Sequence, residues 1–525
     1  MSLKVACIQI KAQDWNNADI AWESAKEKIM VSCKDNDLLV LPECVFPAYF
    51  LSPTENHAEK ISLSDIKKEL SKICRENKVY ITFGYAEDNK NKATLIDSDG
   101  NEIAQKSKSN LWHFDKNWFV SGEDISVVDT EFGKIGMIIC ADARMPELVR
   151  SVSLRGVKLI IDLANLTASG NDISQLTNAQ CEYMLSTRAR ENGVWLAMSD
   201  KWSVEVDCVT YAGRSAIYSP DGRKVAQAPS DKDDIVSYAI PTDSEGIVIC
   251  ESGIERMPVR RPELYEILCR DTVDTPVYKI LKKAVIPESM SAYVIVNSHL
   301  NGSFDKQKRL KHLDRLIQNK ADIIVMPTVD EIIDDLDDYQ QLLSKEQYLV
   351  VGDRICEQTR SRIISNDTIL SEYKTAHTFV GEIEKGNNDI SRVVNTSFGN
   401  IGFIHEYEML LPEVVRCNML EGVDIVIWQH GMSYKEALPL ARTRAAENMV
   451  YIVAVYSICL DDKSSKDASS FIIDPSGNIK AATLSGLNLH ATGCYCNLSD
   501  SRIKSIVPGT HIVLDRKPQR YDELI

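Results

Sequence analysis

The sequence predicts an α/β protein built from two similar domains. Apolar, β-rich runs alternate with segments whose apolar residues recur at helical spacing, a pattern typical of α/β folds. In addition, segment 132–150 recurs at 398–416, and nine of its residues are identical at a constant offset of 266. This unit is far longer than a solenoid repeat, so we interpret the copies as whole domains. The 525 residues are enough for two domains of ordinary size.

The first elements of the two copies follow the same order of strand, helix and strand. In copy one, residues 5–10 form a β-rich run and residues 38–43 read as a buried strand that ends at a proline. In copy two, residues 293–296 and 323–328 take these places. The helix between the strands carries one apolar stripe in each copy, formed by Trp22, Ala25, Ile29 and Cys33 in copy one and by Leu310, Leu313 and Ile317 in copy two.

Later matches set the expected domain boundaries. Residues 188–195 match 444–451, and residues 260–265 match 516–521, both at an offset of 256. The order of the matches is conserved between the copies while the offset drifts, as short loop insertions and deletions would produce. The short segment between Lys282 and Ser291 contains Pro287 and is the expected junction. We therefore predict domains at 1–282 and 288–525.

Composition argues against several classes of partner. Acidic residues outnumber basic ones by 76 to 60, and a net charge of −16 disfavours a nucleic-acid partner. No apolar run reaches the roughly 18–20 residues that span a bilayer, and the sequence enters its first strand without a signal-peptide pattern. Fourteen cysteines without paired spacing suggest reduced thiols. The sequence contains no C-x-x-C pair, which argues against a zinc site. We expect a cytoplasmic protein that associates with no membrane and binds no metal or cofactor.

Three segments of copy one combine an apolar strand with a reactive side chain. Glu43 follows one strand, Lys108 opens the segment 108–112, and Cys140 closes a strand just before a helix. A thiol presented at such a bend can act as a nucleophile once a neighbouring carboxylate removes its proton. Each residue also has a structural explanation: a packed thiol, a capping or paired carboxylate, and a solvated lysine.

A Cys–His hydrolase is the natural alternative mechanism. Copy one contains two histidines, His57 and His113. Neither lies in an apolar strand context that would present it as a base, so the histidine mechanism is the weaker hypothesis.

The motifs taken together resemble those of the nitrilase superfamily of carbon–nitrogen hydrolases. The resemblance covers the whole of copy one and, in degraded form, copy two. It rests on Leu-Pro-Glu at 41–43, Lys-x-x-Leu at 108–111, Gly-x-x-x-Cys-x-Asp-x-Arg-x-Pro-Glu at 136–147, Arg-x-x-Glu-Asn at 188–192 and Arg-Arg-Pro-x-x-Tyr at 260–265.

The resemblance implies a role for each of five residues. Cys140 would attack the substrate carbon and form a covalent thioester, and Glu43 would accept the thiol proton and later activate water. Lys108 and the N–H of Ala141 would stabilise the tetrahedral intermediate. Asp115 takes the place of a fourth carboxylate, at which family members usually carry Glu.

The residues around the nucleophile favour an amide substrate over a nitrile. The segment 141–144 resembles the amidase side of the family, and Arg144 is suited to hold a substrate carboxylate, although an ion pair at the helix start is an equal alternative. Asn165 falls where the family places a substrate-side loop, and we expect His113 to line the mouth of the pocket. We predict hydrolysis of small amides or N-carbamoyl compounds. True nitrile hydrolysis and a non-catalytic binding or scaffold module remain alternatives.

Copy two lacks this chemistry. Thr328 stands at the place of Glu43, and Glu406 at the place of Cys140. Lys374 is the expected counterpart of Lys108, and we expect it to face Glu406 in an inactive pocket. The resemblance further implies that each copy is an αββα sandwich and that the two form a pseudo-dimer within the chain, with the degree of further homo-oligomerisation left open.

Overall fold

The chain divides into two compact units, unit 1 (Met1–Glu255 with Val507–Thr510) and unit 2 (Arg256–Ile506 with His511–Ile525). The computed structural model describes residues 2–51, 61–251, 257–283, 291–299, 305–355, 358–377, 390, 393–457, 467–485, 487 and 489–525. Within these residues, no helix combines the length and the apolar character needed to cross a membrane.

The compact units divide the chain at a different place from the boundary predicted at 282. The residues that follow Glu255 in the chain belong to unit 2, and they bond to side chains of the second copy. The Arg260 guanidinium lies 2.9 Å from the Glu413 carboxylate, and the Tyr265 hydroxyl lies 2.9 Å from His377 Nε2. The predicted boundary therefore separates the two copies of the sequence and not the two compact units.

Among its described residues, unit 1 contains fourteen strands in two mixed sheets. In chain order they are β1 (Ser2–Lys11), β2 (Leu38–Val40), β3 (Tyr80–Glu87), β4 (Lys90–Ile96), β5 (Glu102–Ser107), β6 (Ser126–Thr130), β7 (Gly133–Ile139), β8 (Leu159–Leu163), β9 (Trp195–Ser199), β10 (Lys201–Glu205), β11 (Val209–Ala212), β12 (Ala216–Tyr218), β13 (Lys224–Gln227) and β14 (Asp234–Pro241). The first sheet has the order β11-β10-β1-β2-β3-β4-β5, with β14 also paired to β1, and the second has the order β13-β12-β9-β8-β7-β6.

Unit 1 has five α-helices among its described residues, and four of them pack on these sheets. They are α1 (Ala18–Ser32), α2 (Leu63–Asn77), α3 (Asp115–Trp118), α4 (Pro146–Leu154) and α5 (Leu185–Asn192). The predicted stripe of α1 is confirmed, because Trp22, Ala25 and Ile29 are fully buried. Helices α1 and α2 pack on the first sheet, and α4 and α5 pack on the second.

Strand β1 shows how the layers are specified. Its side chains alternate between the two faces of the sheet, as the pleat of a strand requires. Val5 and Cys7 join the core between the two sheets, whereas Ala6 and Ile8 join the core under α1 and α2. Unit 1 is therefore a four-layer αββα sandwich.

Unit 2 repeats the arrangement with its own strands. They are β15 (Ser291–His299), β16 (Ile323–Val329), β17 (Tyr348–Ile355), β18 (Gln358–Ile364), β19 (Ile369–Lys374), β20 (Val394–Asn395), β21 (Asn400–His405), β22 (Ile425–His430), β23 (Tyr451–Tyr456), β24 (Phe471–Ile473), β25 (Ile479–Ala482) and β26 (Leu489–Asn497). They form two sheets, β19-β18-β17-β16-β15-β26 and β20-β21-β22-β23-β24-β25. Near the C-terminal end of the sequence, β27 (Ser505–Val507) pairs with β28 (Thr510–His511).

Unit 2 has six α-helices among its described residues, and four of them pack on its sheets. They are α6 (Pro276–Lys282), α7 (Lys306–Ile317), α8 (Asp337–Gln340), α9 (Pro412–Leu420), α10 (Tyr434–Asn448) and α11 (Ser499–Ile503). Leu313 of α7 and Tyr339 of α8 are buried against the first sheet, and α9 and α10 pack on the second. The predicted α/β class and the tandem arrangement of two domains are confirmed, whereas the intrachain pseudo-dimer stays a prediction.

Candidate active site

Glu43 lies at the end of a short buried strand in unit 1. It follows β2 after Leu41 and Pro42, and its side chain is fully buried. Gly84 of β3 permits this path, because a Cβ atom there would lie only 2.3 Å from the Pro42 carbonyl oxygen. The Asn91 amide donates a hydrogen bond of 2.5 Å to Glu43 Oε1. No described residue bonds to the second carboxylate oxygen, Oε2, which leaves it available for a proton or a water.

Lys108 joins two buried carboxylates. It directly follows β5, and its Nζ lies 2.7 Å from Glu43 Oε1 and 2.7 Å from Asp115 Oδ2. The backbone N–H of Trp112 also donates to Asp115 Oδ2, at 2.7 Å. All three charged side chains are at most 2% exposed, which requires such mutual pairing. The shorter aspartate therefore still reaches the lysine.

Cys140 begins a tight turn at the end of β7. Its φ of +52° lies in the left-handed region, which is uncommon for a residue other than glycine and is frequent at functional sites. Its N–H donates to Asp162 Oδ1 at 2.8 Å, and its Sγ lies 3.6 Å from the Asn165 carbonyl oxygen. The turn continues as a short 3-10 helix, Cys140–Arg144, in which Ala141 is the second residue.

Three polar side chains hold this turn in place. The Gln180 amide donates to the Cys140 carbonyl oxygen at 2.9 Å and accepts a bond of 3.0 Å from Arg144 Nε. Asp142 Oδ1 accepts the backbone N–H of Asn110 at 2.7 Å. Since Asn110 lies two residues after Lys108, Asp142 joins the turn at Cys140 to the segment that carries Lys108.

The charges of the site act on one another through its low-polarity surroundings. Burial raises the pKa of Cys140 well above its ordinary value, the charge of Glu43 raises it further, and Lys108 opposes both. Burial also raises the pKa of Glu43, again against the influence of Lys108. Burial alone would lower the pKa of Lys108, but Asp115 and Glu43 outweigh it and raise that pKa well above normal. The resting site thus combines a protonated thiol, a carboxyl of increased basicity and a charged amine.

The structure places the remaining predicted residues at different positions. Asn165 is nearly buried and its carbonyl faces Cys140, while its side-chain amide bonds to none of the described residues. The Arg144 guanidinium lies 4.3 Å above the Trp112 ring. The His113 ring bonds to the Pro508 carbonyl oxygen at 3.0 Å. It does not bond to Glu43, Lys108 or Cys140. His57, the other histidine of the alternative mechanism, lies outside the described residues.

Sequence reasoning missed several supporting residues. Asn91 and Gln180 bond directly to Glu43 and Cys140, but they lie in stretches without a recognisable pattern. Asp162 gave a usable signal, because an aspartate inside the apolar run 159–163 is costly unless it is paired. No group of three or more potential metal-binding His, Cys, Asp or Glu side chains occurs among the residues placed by the structure.

The corresponding place in unit 2 holds different chemistry. Glu406 follows β21 with a φ of +45°, close to that of Cys140, so the backbone turn is retained without the thiol. Its carboxylate pairs with the Arg354 guanidinium and accepts the N–H of Gly431 at 3.0 Å. Thr328 lies beside Gly352, as Glu43 lies beside the equivalent glycine in unit 1.

The expectation that Lys374 faces Glu406 is wrong. Lys374 ends β19 with 46% of its side chain exposed, and its Nζ lies 3.6 Å from Glu372. Glu406 instead pairs with Arg354, so the predicted buried Glu–Lys pair does not form.

The structural counterpart of Lys108 is Thr375. The N–H of the residue after Lys108 donates to Asp142 at 3.0 Å, and the N–H of the residue after Thr375 donates to Glu408 at 2.9 Å. The sequence offset at this point is therefore 267 rather than 266, and the shift of one residue moves the lysine out of the site. Glutamate, lysine and cysteine are all replaced in unit 2.

Comparison with known proteins places this chain in a family. The carbon-nitrogen hydrolase family model matches residues 4–246 and 306–486, and the chain belongs to this family. The match in two stretches agrees with the predicted tandem repeat, and the predicted enzyme class is confirmed.

Individual relatives include both amidases and nitrilases. A probable nitrilase of Schizosaccharomyces pombe is 23% identical over 51% of this chain and 99% of its own length. An omega-amidase of Xenopus tropicalis is 26% identical, covering 45% of this chain and 85% of that protein. An N-carbamoylputrescine amidase of Solanum lycopersicum is 23% identical over 50% and 94%.

Solved structures similar to this chain include an amidase from Nesterenkonia sp. AN1. That structure is a mutant with the acetamide moiety of fluoroacetamide attached at its active-site cysteine. It is 21% identical, covers 50% of this chain and 96% of that chain, and gives a TM-score of 0.43.

Proposed function

We propose that unit 1 hydrolyses the C–N bond of a small amide or N-carbamoyl compound through a thioester on Cys140. The observation that carries this proposal is the convergence of Glu43 and Asp115 on Lys108, each at 2.7 Å, inside a buried site whose charges also act on the Cys140 thiol. A carboxylate, an amine and a thiol in this arrangement supply a base, an oxyanion partner and a nucleophile.

In the first half of the proposed reaction, Glu43 accepts the Cys140 proton while Sγ attacks the amide carbonyl carbon. The oxyanion that forms is stabilised by Lys108 and by the backbone N–H of Ala141. Collapse of this intermediate breaks the C–N bond. Glu43 returns the proton to the leaving nitrogen, so that ammonia departs and the acyl group remains on sulfur.

In the second half, water replaces the leaving group. The water oxygen attacks the thioester carbon while Glu43 takes one proton from that water, and Lys108 again stabilises the oxyanion. The C–S bond then breaks, the thiolate of Cys140 regains the proton, and the carboxylic acid product leaves. The raised pKa of Glu43 suits a group that must accept and return a proton twice in each cycle.

Asp115 has a separate task in this scheme. Its carboxylate lies 2.7 Å from Lys108 Nζ and raises the pKa of that amine. Asp115 therefore keeps Lys108 charged while Glu43 changes its protonation state during the cycle.

We propose further that Arg144 holds a carboxylate of the substrate. Among the described residues, no Asp or Glu oxygen lies within 4.0 Å of its guanidinium, which rests on Trp112 and bonds to Gln180. This supports the substrate interpretation over the ion pair at the start of a helix. The similarity to an omega-amidase supports an amide substrate, with true nitrile hydrolysis as the alternative.

The experiment compares substrates in wild type and in an Arg144→Met variant. A short amide that carries a distal carboxylate and a neutral amide of equal length are assayed together with the matching nitriles. We expect Arg144→Met to raise KM about 10- to 100-fold for the carboxylated amide, since a hydrogen bond to a charged group contributes about 1.5–3 kcal/mol. The neutral amide should show a much smaller change in KM, since it loses only the effect of the bond between Arg144 and Gln180.

An Arg144→Lys variant is the matched control, because it keeps the charge and loses the planar fork. It should recover part of the loss for the carboxylated amide. A higher kcat/KM for nitriles than for amides, or an equal effect of Arg144→Met on both amides, would contradict the proposed substrate class.

Unit 2, in this proposal, is catalytically silent. Thr328 and Thr375 cannot act as a base or as a cationic oxyanion partner near neutral pH, and Glu406 has no thiol to offer. A supporting role as half of an internal dimer is the simplest use for such a domain and stays a prediction.

A further inference from the structure

We infer that residues Val507–Thr510, the 507–510 segment, position the loop that carries Trp112 and Asp115 in unit 1. This inference rests on the proposed function and adds to it a group of residues that touch neither substrate nor the reacting atoms. The segment belongs to unit 1, although the residues on either side of it belong to unit 2. It therefore joins the active-site unit from a point almost 400 residues further along the chain.

The 507–510 segment bonds to the His113 backbone and to its ring. The N–H of His113 donates to Thr510 Oγ1 at 2.9 Å. Its ring Nδ1 lies 3.0 Å from the Pro508 carbonyl oxygen, and because a carbonyl can only accept, Nδ1 carries the proton of this bond. Gly509 turns the segment with a φ of +79°, a conformation that favours glycine. The segment thus bonds to a single residue of the loop from two directions.

His113 needs such support because its own conformation is unfavourable. Its φ of +41° lies in the left-handed region, where a side chain with a Cβ is strained unless its surroundings hold it. Without the bonds to the 507–510 segment, the backbone at this residue would relax toward a negative φ. The residues on both sides of it would then change direction.

Trp112, the neighbour of His113, is bonded to the site through two groups. Its N–H donates to Asp115 Oδ2 at 2.7 Å, and the same oxygen lies 2.7 Å from Lys108 Nζ. Its ring lies 4.3 Å below the Arg144 guanidinium. A shift at His113 therefore disturbs the orientation of the carboxylate that holds Lys108. Thr510 and His113 act as positioning residues.

The test uses the full chain with Thr510→Val, which removes the acceptor at nearly constant volume, and Thr510→Ser, which retains a hydroxyl. We expect Thr510→Val to lower kcat for a primary amide about tenfold with KM changed less than twofold, and Thr510→Ser to stay close to wild type. Because a merely structural role would lower only the fraction of folded protein, kcat is expressed per folded molecule for both variants. Equal kcat values for Thr510→Val and wild type would overturn the inference.

A second pair keeps the test decisive if Thr510→Val destabilises the chain. His113→Ala removes the ring bond and retains the strain, whereas His113→Asn retains a side-chain donor and tolerates a positive φ. We expect a lower kcat for the alanine variant and recovery with asparagine. A change confined to KM would instead assign His113 to the mouth of the substrate pocket, and would overturn the positioning role.

Cys140→Ala, measured in parallel, separates this inference from the proposed function. Turnover that persists in Cys140→Ala contradicts the proposed function itself. Absent turnover in Cys140→Ala together with unaffected Thr510→Val and His113→Ala variants contradicts only the role of the 507–510 segment.

Discussion

The turn at Cys140 and the turn at Glu406 share one backbone and differ in chemistry. Both residues follow a buried strand with φ near +50°, both begin a five-residue 3-10 turn, and each turn leads into a helix that starts with proline. Cys140 lies in a site with a buried carboxylate paired to an amine, whereas the Glu406 carboxylate pairs with Arg354. A strained turn thus persists where no thiol requires it.

Each of the two turns is also held by a buried arginine, and the two arginines occupy equivalent positions in the repeat. Arg188 Nε donates to the Ala143 carbonyl oxygen at 2.7 Å, and Arg444 Nε donates to the Met409 carbonyl oxygen at 3.1 Å. Each arginine pairs with the glutamate three residues later, at 2.7 and 2.8 Å. The motif Arg-x-x-Glu-Asn, shared by both copies, therefore supports the backbone of the turn and takes no part in the proposed chemistry.

This comparison separates two kinds of signature residue. Those retained in both units, such as Arg188 with Arg444 and Asp142 with Glu408, bond to the backbone of the turn. The residues to which we assign chemistry occur together in unit 1 alone. A family motif is thus informative about activity only at positions whose side chains are not already used to hold the fold.

The largest effect should come from replacing Glu43, the proposed base, and none should come from its counterpart in unit 2, Thr328. Glu43→Gln keeps the shape of the side chain and removes its basicity, so we expect kcat to fall about 10²- to 10⁴-fold, the usual contribution of general acid–base catalysis. Thr328→Ala, at the matching place in unit 2, should leave kcat unchanged. Steady-state hydrolysis of one amide by both variants measures the difference between the units. Wild-type turnover in Glu43→Gln, or a large loss in Thr328→Ala, would break the comparison.

Replacing Arg188 in unit 1 or Arg444 in unit 2 should lower the stability of the protein. Arg188→Ala and Arg444→Ala each break a buried ion pair with a glutamate and remove a bond to the turn, and we expect each to lower the free energy of unfolding by about 3–5 kcal/mol. Denaturant titration followed by circular dichroism checks this. Activity per folded molecule should fall for Arg188→Ala and stay constant for Arg444→Ala. A negligible change in stability for either variant would show that the arginine does not support its turn.

Much of the site could be predicted from the sequence because its parts follow apolar strands. Glu43 and Cys140 end runs whose burial is evident from composition, and the two copies supported each other's strand assignments. The site residue Asp115 followed from its place in a known motif. The structure places Glu43 and Cys140 just after strands, as the apolar runs predict, and Asp115 at the start of the short helix α3.

Other features could not be predicted because they depend on geometry between distant segments. The counterpart of Lys108 in unit 2 is Thr375 and not Lys374, because the offset differs by one residue at this point. No local pattern in the sequence marks such a shift. The bond between His113 and the 507–510 segment joins residues 397 positions apart. The placement of Arg260 in unit 2 likewise depends on contacts with Glu413 that the sequence copies alone do not reveal.

The central claim, that the chemistry of the chain resides in the Cys140 thiol, is tested most directly by chemical labelling. The protein is treated with chloroacetamide, an amide with a reactive carbon, and residual turnover is compared with the labelled fraction of each of the fourteen cysteines. The account predicts that activity falls in proportion to label on Cys140 and that a substrate amide slows both processes equally. Full activity after complete labelling of Cys140, or inactivation that follows label on another cysteine, would contradict it.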